Sequence, residues 1–179
     1  MLVKELMSKQ VVCCTPWDTA ETAASLMKAH GVGGIPVVQE RADPLLEGIV
    51  TDRDLCCSIV AGAIKANAIN VGELMTRVPA TCEPEDSLEF CEELMQENQV
   101  RRIPVVDERG RCIGIVAQAD VALHAHAAQV AKTIAEISKP SREIAPKMHF
   151  EKDYFYCGQP HELDEILLLN RRREMHKHG

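Results

Sequence analysis

The sequence predicts an α+β protein: two copies of a β-α-β-β-α unit in a pseudo-twofold pair, followed by a C-terminal extension. Three observations predict it. The first is ordered self-similarity at an offset of 68 residues, too long for a solenoid period and present only twice. The second is that both copies pass from helical to strand-like apolar spacing in the same order. The third is that the self-similarity stops by residue 131, with a linker to Met148 and a change of composition after it. At 179 residues the chain makes one domain or two very small ones. A chain of this size buries about 70% of its unfolded surface, so it folds without metal or disulfide.

The self-similarity is dense. Val3-x-Glu5-Leu6-Met7-Ser8 falls on Val71-x-Glu73-Leu74-Met75-Thr76, and Pro16-x-Asp18-x-x-Glu21 on Pro84-x-Asp86-x-x-Glu89. Leu26-Met27 meets Leu94-Met95, and Ile35-Pro36-Val37-Val38 meets Ile103-Pro104-Val105-Val106. After a loop two residues longer in the first copy, Gly48-Ile49-Val50 meets Gly114-Ile115-Val116, and Asp54 meets Asp120.

Each element has a local reason. Val11 to Thr15 is β-rich and stops at Pro16. Asp18 with Glu21 three residues on, repeated as Asp86 with Glu89, predicts an N-cap and capping box. Ala20, Ala23, Ala24 and Met27 share one helical face, and Gly31 stands where a left-handed C-terminal cap belongs. Ile35–Val38 and Leu46–Val50 read as two strands joined by a polar turn. The proline inside the first marks a strand start or an edge. A second helix opens after Thr51, and helices cover one face of a small sheet. Residues 1–66 are expected to form the first repeat, 67–131 the second, and 132–179 a linker and arm.

Charge and composition exclude several classes. A net charge of -7 argues against a general nucleic-acid binder, which carries a basic stripe. The longest apolar run, Leu55 to Ile64, has ten residues and includes Ser58 and Gly62, well short of a membrane span. The start lacks the apolar core of a signal peptide, so the expectation is a cytoplasmic protein. The eight cysteines contain no C-x-x-C, which leaves free thiols as the default. No G-x-S-x-G, H-E-x-x-H, P-loop or G-x-G-x-x-G is written, and no catalytic residue is expected.

The order E-L-M-[ST], P-x-D, I-P-V-V and G-I-V-T-x-x-D resembles the CBS domain, the regulatory module named after cystathionine beta-synthase. The resemblance covers about Leu2 to Ala131. It implies a non-catalytic sensor binding an adenosine-containing ligand (AMP, ADP, ATP, NAD or S-adenosylmethionine) in clefts between the copies. Thr51 supplies a hydroxyl and Asp54 a ribose acceptor at a helix N-terminus suited to phosphate. The same Thr-x-x-Asp also serves as a capping pair that starts a helix. The second copy writes Ala117-Gln118-Ala119-Asp120: the carboxylate is kept and the hydroxyl is gone.

Arg101-Arg102 precedes Ile103-Pro104, where similar proteins place phosphate-binding cations; the alternative is a solvated basic turn. The resemblance implies a first cleft of Thr51, Asp54, Pro79, Ala80, Arg101, Arg102 and Pro104. It implies a second of Asp120, Val11, Val12, Gly33, Gly34, Pro36 and Arg53. Pro36 and Pro104 serve either as a wall for a purine face or as edge-strand prolines.

Two expectations concern partners. Apolar helical stripes (Ala20, Ala23, Met27; Leu88, Cys91, Met95) that a small sheet covers only in part predict a homodimer. Four of the six aromatic residues lie between Phe150 and Tyr156, and His161 to Lys177 reads as helical. This tail reads as an arm packed on its own domain or a partner chain, or else docked on an unidentified target protein. The rival readings are a metal or thiol sensor using the Cys and His residues, a protein-interaction module without small ligand, and an enzyme of another class. Cys157, His161, His176 and His178 offer metal-ligand types without a standard spacing, so no metal is expected.

Overall fold

The computed structural model describes Met1–Lys139. The aromatic cluster and the Cys157–His178 set lie outside the described residues. In order, the elements are α1 (Val3–Leu6), α2 (Ala20–His30), β1 (Gly34–Val38), β2 (Leu46–Thr51) and α3 (Asp52–Ala61). The second copy supplies α4 (Val71–Leu74), β3 (Thr76–Arg77), α5 (Leu88–Asn98), β4 (Arg102–Val106), β5 (Cys112–Ala117) and α6 (Gln118–His124); α7 (Ala127–Ile137) follows.

Each repeat is built on an antiparallel hairpin with equivalent registers. Pro36 faces Ile49 and Gly34 faces Thr51, as Pro104 faces Ile115 and Arg102 faces Ala117. Both hairpins carry the same irregularity, before Val38 and before Val106.

The opening segment of each repeat crosses to the other. β3 pairs antiparallel with β2, placing Thr76 opposite Ile49 and Arg77 opposite Gly48. Its counterpart Ser8 bridges to Ile115 on β5. The crossing needs glycine. A Cβ on Gly48 would lie 2.7 Å from the Thr76 carbonyl oxygen, and one on Gly114 2.5 Å from Met7 Sδ. Val3 and Leu6 of α1 consequently pack in the second repeat's core with Leu88, Met95, Ile103 and Val116. The exchange makes neither hairpin's core complete without the other repeat.

Three expectations are corrected. Val11 to Thr15 forms no strand, only a parallel bridge from Cys14 to Val37. Cys14 N–H donates to the Pro36 carbonyl and Val38 N–H to the Cys14 carbonyl. The next donor in that ladder belongs to Pro36, which has no N–H, so pairing stops there. Pro36 and Pro104 stand mid-strand on the edge strands β1 and β4, the edge position the sequence allowed, and both are buried.

The helix caps also lie one residue later than expected: Thr19 caps α2 and Ser87 caps α5. Asp18 and Asp86 instead accept from the Thr15 and Glu83 N–H groups, closing the preceding turns. The Gly31 cap forms as expected, with φ 64°.

The stripe residues Ala20, Ala23, Met27, Leu88, Cys91 and Met95 are at most 5% exposed within one chain, so they cannot carry a dimer contact. Of the first face, Ala24 alone points to solvent. Finally, α7 packs on α5. Glu92 Oε1 accepts from Thr133 Oγ1 at 3.0 Å, and Gln96 Nε2 donates to the same Thr133 oxygen at 2.9 Å.

Candidate functional site

The first cleft begins where β2 runs directly into α3. Thr51 is the N-cap in extended conformation, and its Oγ1 accepts from Asp54 N–H at 3.2 Å. Asp54 Oδ2 accepts from Thr51 N–H at 3.0 Å and from Thr51 Oγ1–H at 2.7 Å. The capping role of Thr-x-x-Asp is thus realised in full. It also orients the pair: one oxygen is committed to the cap, and both side chains are half-buried at a helix N-terminus. At the second repeat, Asp120 Oδ2 accepts from Ala117 N–H at 2.7 Å and no hydroxyl stands opposite.

Arg102 occupies the join between the repeats. A Cβ on Gly33 would lie 2.7 Å from Arg102 Nη2 and 2.8 Å from Asp52 Oδ2. One on Gly34 would lie 3.2 Å from Arg102 Cδ and 3.4 Å from Thr51 Cγ2. Gly33-Gly34 and Arg101-Arg102 are equivalent positions in the repeat, so the glycines leave the room that the arginine fills. Two matching hydrogen bonds tie the helix starts to these positions: Asp52 N–H to the Gly33 carbonyl and Gln118 N–H to the Arg101 carbonyl. The structure therefore brings Thr51, Asp52, Gly33, Gly34 and Arg102 together, with Asp54 bound to Thr51. The sequence missed Asp52 and Gln118; the only signal was their place directly after Thr51 and Ala117.

Other candidates are placed differently. Arg101 is exposed, and Arg53 is exposed on α3. Val78 N–H donates to the Glu47 carbonyl, so Pro79 follows from a point four residues before Thr51, about 13 Å along β2. Ala80 packs on the second repeat's core. Val11 lines a cavity with Cys112, at the opposite end of β5 from Asp120, and Val12 is half-buried beside it. Pro36 and Pro104 lie mid-hairpin, and both are buried, so neither offers a free wall as the chain stands.

Two open cavities lie elsewhere. One of about 480 Å³ is lined by Pro16, Trp17, Glu47, Gly72, Glu73 and Arg77 among others. The second, of about 230 Å³, is lined by Lys9, Val11, Cys13, Arg41, Pro44, Cys112 and Ile113. Neither is lined by Thr51, Asp54, Arg102 or Asp120. We place the candidate site on the side-chain chemistry of the repeat junction rather than on cavity size. Among the described residues, no group of three or more His, Cys, Asp or Glu side chains is placed to hold a metal ion. No described helix is long and apolar enough to cross a membrane.

Interlocked repeats with a capped Thr-x-x-Asp and an arginine at their junction define a tandem pair of small α+β modules. The CBS domain family model matches residues 3–60 and 71–127, and the chain belongs to that family. The CBS domain-containing protein YhcV of Bacillus subtilis (strain 168) is 39% identical over 122 residues, 68% of this chain and 84% of its own. Among solved structures, Hypoxic Response Protein I with two coordinated zinc ions superposes at TM-score 0.63 and 32% identity. That match covers 70% of this chain and all of the other.

The CBSX2 structure in complex with AMP matches at TM-score 0.59 and 28% identity, over 69% of this chain and 95% of its own. The CBS pair of MJ0100, in complex with 5'-methylthioadenosine and S-adenosyl-L-methionine, matches at 0.61 and 25%, over 69% and 94%.

Proposed function

We propose that this chain is a non-catalytic regulatory module that binds an adenosine-containing ligand at the junction of its two repeats. The observation that carries the reading is Arg102, laid over Gly33-Gly34 beside the Thr51–Asp54 helix start. A guanidinium gives planar, bidentate recognition of phosphate, and a helix N-terminus offers unpaired N–H groups to the same anion. The free Asp54 oxygen accepts from ribose hydroxyls. The bound AMP of CBSX2 and the bound adenosyl compounds of MJ0100 support this ligand class.

A thermal-shift panel with AMP, ATP, NAD, S-adenosylmethionine and adenosine tests it. A ligand at 100 times its Kd stabilises by about 2.7 kcal/mol. Arg102→Ala weakens AMP and ATP more than adenosine, which has no phosphate to lose. Absence of any shift across the panel contradicts the reading.

The homodimer belongs to the same reading, on different ground. Val60 on α3 is 73% exposed and Leu123 on α6 is 79% exposed, which leaves apolar surface for a second copy. A light-scattering mass near 19.8 kDa at tens of micromolar would contradict it.

A further inference from the structure

Seven cysteines lie among the described residues, all as free thiols. Two pairs of them meet in space. Cys82 and Cys91 influence each other inside the second repeat's core, at 1% and 0% exposure. Cys13 and Cys112 come from different repeats and both line the 230 Å³ cavity.

The second pair differs from the first in two ways. It is reachable, because Cys13 is half-buried and the cavity is open to solvent. It is cationic, because Lys9 and Arg41 share the lining, Arg41 being also paired with Asp18 at 2.7 Å. Neither pair is repeated in the other half, where Cys13 and Cys112 correspond to Thr81 and Leu46 and Cys91 corresponds to Ala23.

The two thiols are also polarised against each other. The neighbouring Cys112 thiol lowers the Cys13 thiol below its ordinary range and the Arg41 charge assists, against the opposing effect of burial. The Cys13 thiol, with burial, raises the Cys112 thiol, whose S–H donates to the Gly114 carbonyl at 3.6 Å. Cys14, next in the chain, is pushed up to about 12, mainly by burial, and does not compete. The thiolate is the reactive form, so Cys13 is the attacking group and Cys112 the resolving one.

We propose that Cys13 and Cys112 form a redox-sensitive crosslink between the two repeats, with hydrogen peroxide as the oxidant. The Cys13 thiolate attacks one peroxide oxygen and the O–O bond breaks. Cys13 becomes a sulfenic acid, and the leaving hydroxide takes a proton to give water. The Cys112 sulfur then attacks the sulfenic sulfur and the S–O bond breaks. A second water leaves with the Cys112 proton. Two thiols and one peroxide thus give one disulfide and two waters. Closing a thiol contact to a disulfide draws the sulfurs to about 2.05 Å. The segment around Cys13 can give, because between the Ser8 and Cys14 bridges it has no ladder pairing.

The test uses the full chain carrying Cys56→Ser, Cys57→Ser and Cys157→Ser, exposed to peroxide, alkylated and digested without reductant. The expected product is a peptide joining Cys13 to Cys112 that separates on reduction. It forms about ten times faster than any oxidation at the sealed Cys82 and Cys91. Adding Cys112→Ser leaves Cys13 as a sulfenic acid trapped by a dimedone probe. The unsubstituted chain, mapped the same way, gives the same linked peptide and covers the case in which a variant fails to fold. The proposal is overturned if the native chain shows Cys13 reduced, or oxidised only to sulfinic acid, with no link to Cys112.

Discussion

In the first repeat, Thr51 and Asp54 exchange three hydrogen bonds, whereas in the second Ala117 and Asp120 share one. The backbone is the same at both places: a six-residue strand running into a helix, its first N–H tied to the start of the neighbouring strand. The scaffold keeps its symmetry while the side chains give it up. Position 34 is glycine and position 102 is arginine, and the first makes room for the second. One junction thus acquires a hydroxyl and a cation while the other retains a carboxylate alone. Paired folds can divide labour without any change of fold.

The largest effect expected from a break in the symmetry is at the crossing. A Cβ on Gly48 meets a backbone carbonyl at 2.7 Å, while one on Gly114 meets a flexible thioether at 2.5 Å. Gly48→Ala is expected to cost about 2–3 kcal/mol in urea unfolding and Gly114→Ala about 1 kcal/mol, since overpacking is worst where nothing can move. Equal costs would mean that the two crossings are mechanically alike.

The next effect concerns the helix that covers only the second repeat. Glu92 is 1% exposed beneath α7, and its Oε2 has no hydrogen-bond partner among the described residues; its counterpart in the first repeat is Ala24. Burial raises the Glu92 carboxyl above its ordinary value, with Glu89 adding to the rise and Thr133, Gln129 and Lys132 opposing it. The raised value fixes the sign. Its contribution to stability is full below the ordinary carboxyl range and is lost as pH rises through the raised value. Glu92→Gln keeps an acceptor for Thr133 without the charge, so it stabilises the chain at neutral pH by about 1 kcal/mol. It also flattens the pH dependence in thermal melts. A variant less stable than the parent at neutral pH would contradict this account.

The smallest effect restores what the second repeat lacks. Ala117→Thr supplies the missing cap hydroxyl and is expected to stabilise α6 by about 0.5–1 kcal/mol. It is also expected to tighten ligand binding at the second junction, read by calorimetry. No gain in either would mean that backbone geometry, rather than the hydroxyl, separates the two ends.

Much of this was legible because the sequence is written twice. The hairpins carry a local signal that repetition doubles, while the Thr51 cap and the left-handed Gly31 each carry one without a matching residue in the second copy. The misplaced parts share one physical cause. Val11–Thr15 has strand composition, but its pairing is decided by a donor missing from Pro36, 22 residues away in the chain. Ala20 and Leu88 look like a dimer stripe until the crossing segments fill each core from the other repeat. Glu92 carries no local signal of its burial, because α7, which covers it, has no counterpart among the described elements of the first copy. Arg102 was legible as a cation, but its partner surface, Gly33-Gly34, gains meaning only when the two copies face each other.

The central claim is that the two junctions are unequal and that the Thr51 junction is the stronger. Isothermal titration of the full chain with AMP tests it most directly, using the parent, Asp54→Ala and Asp120→Ala. Asp54→Asn serves as a control, because its amide oxygen still accepts from the Thr51 N–H. Charge-assisted hydrogen bonds of about 1.5–3 kcal/mol separate the sites by one to two orders of magnitude in Kd. The account predicts that Asp54→Ala and Asp54→Asn both abolish the tight phase and that Asp120→Ala leaves it nearly intact. Loss of the tight phase in Asp120→Ala with its retention in Asp54→Ala would contradict it.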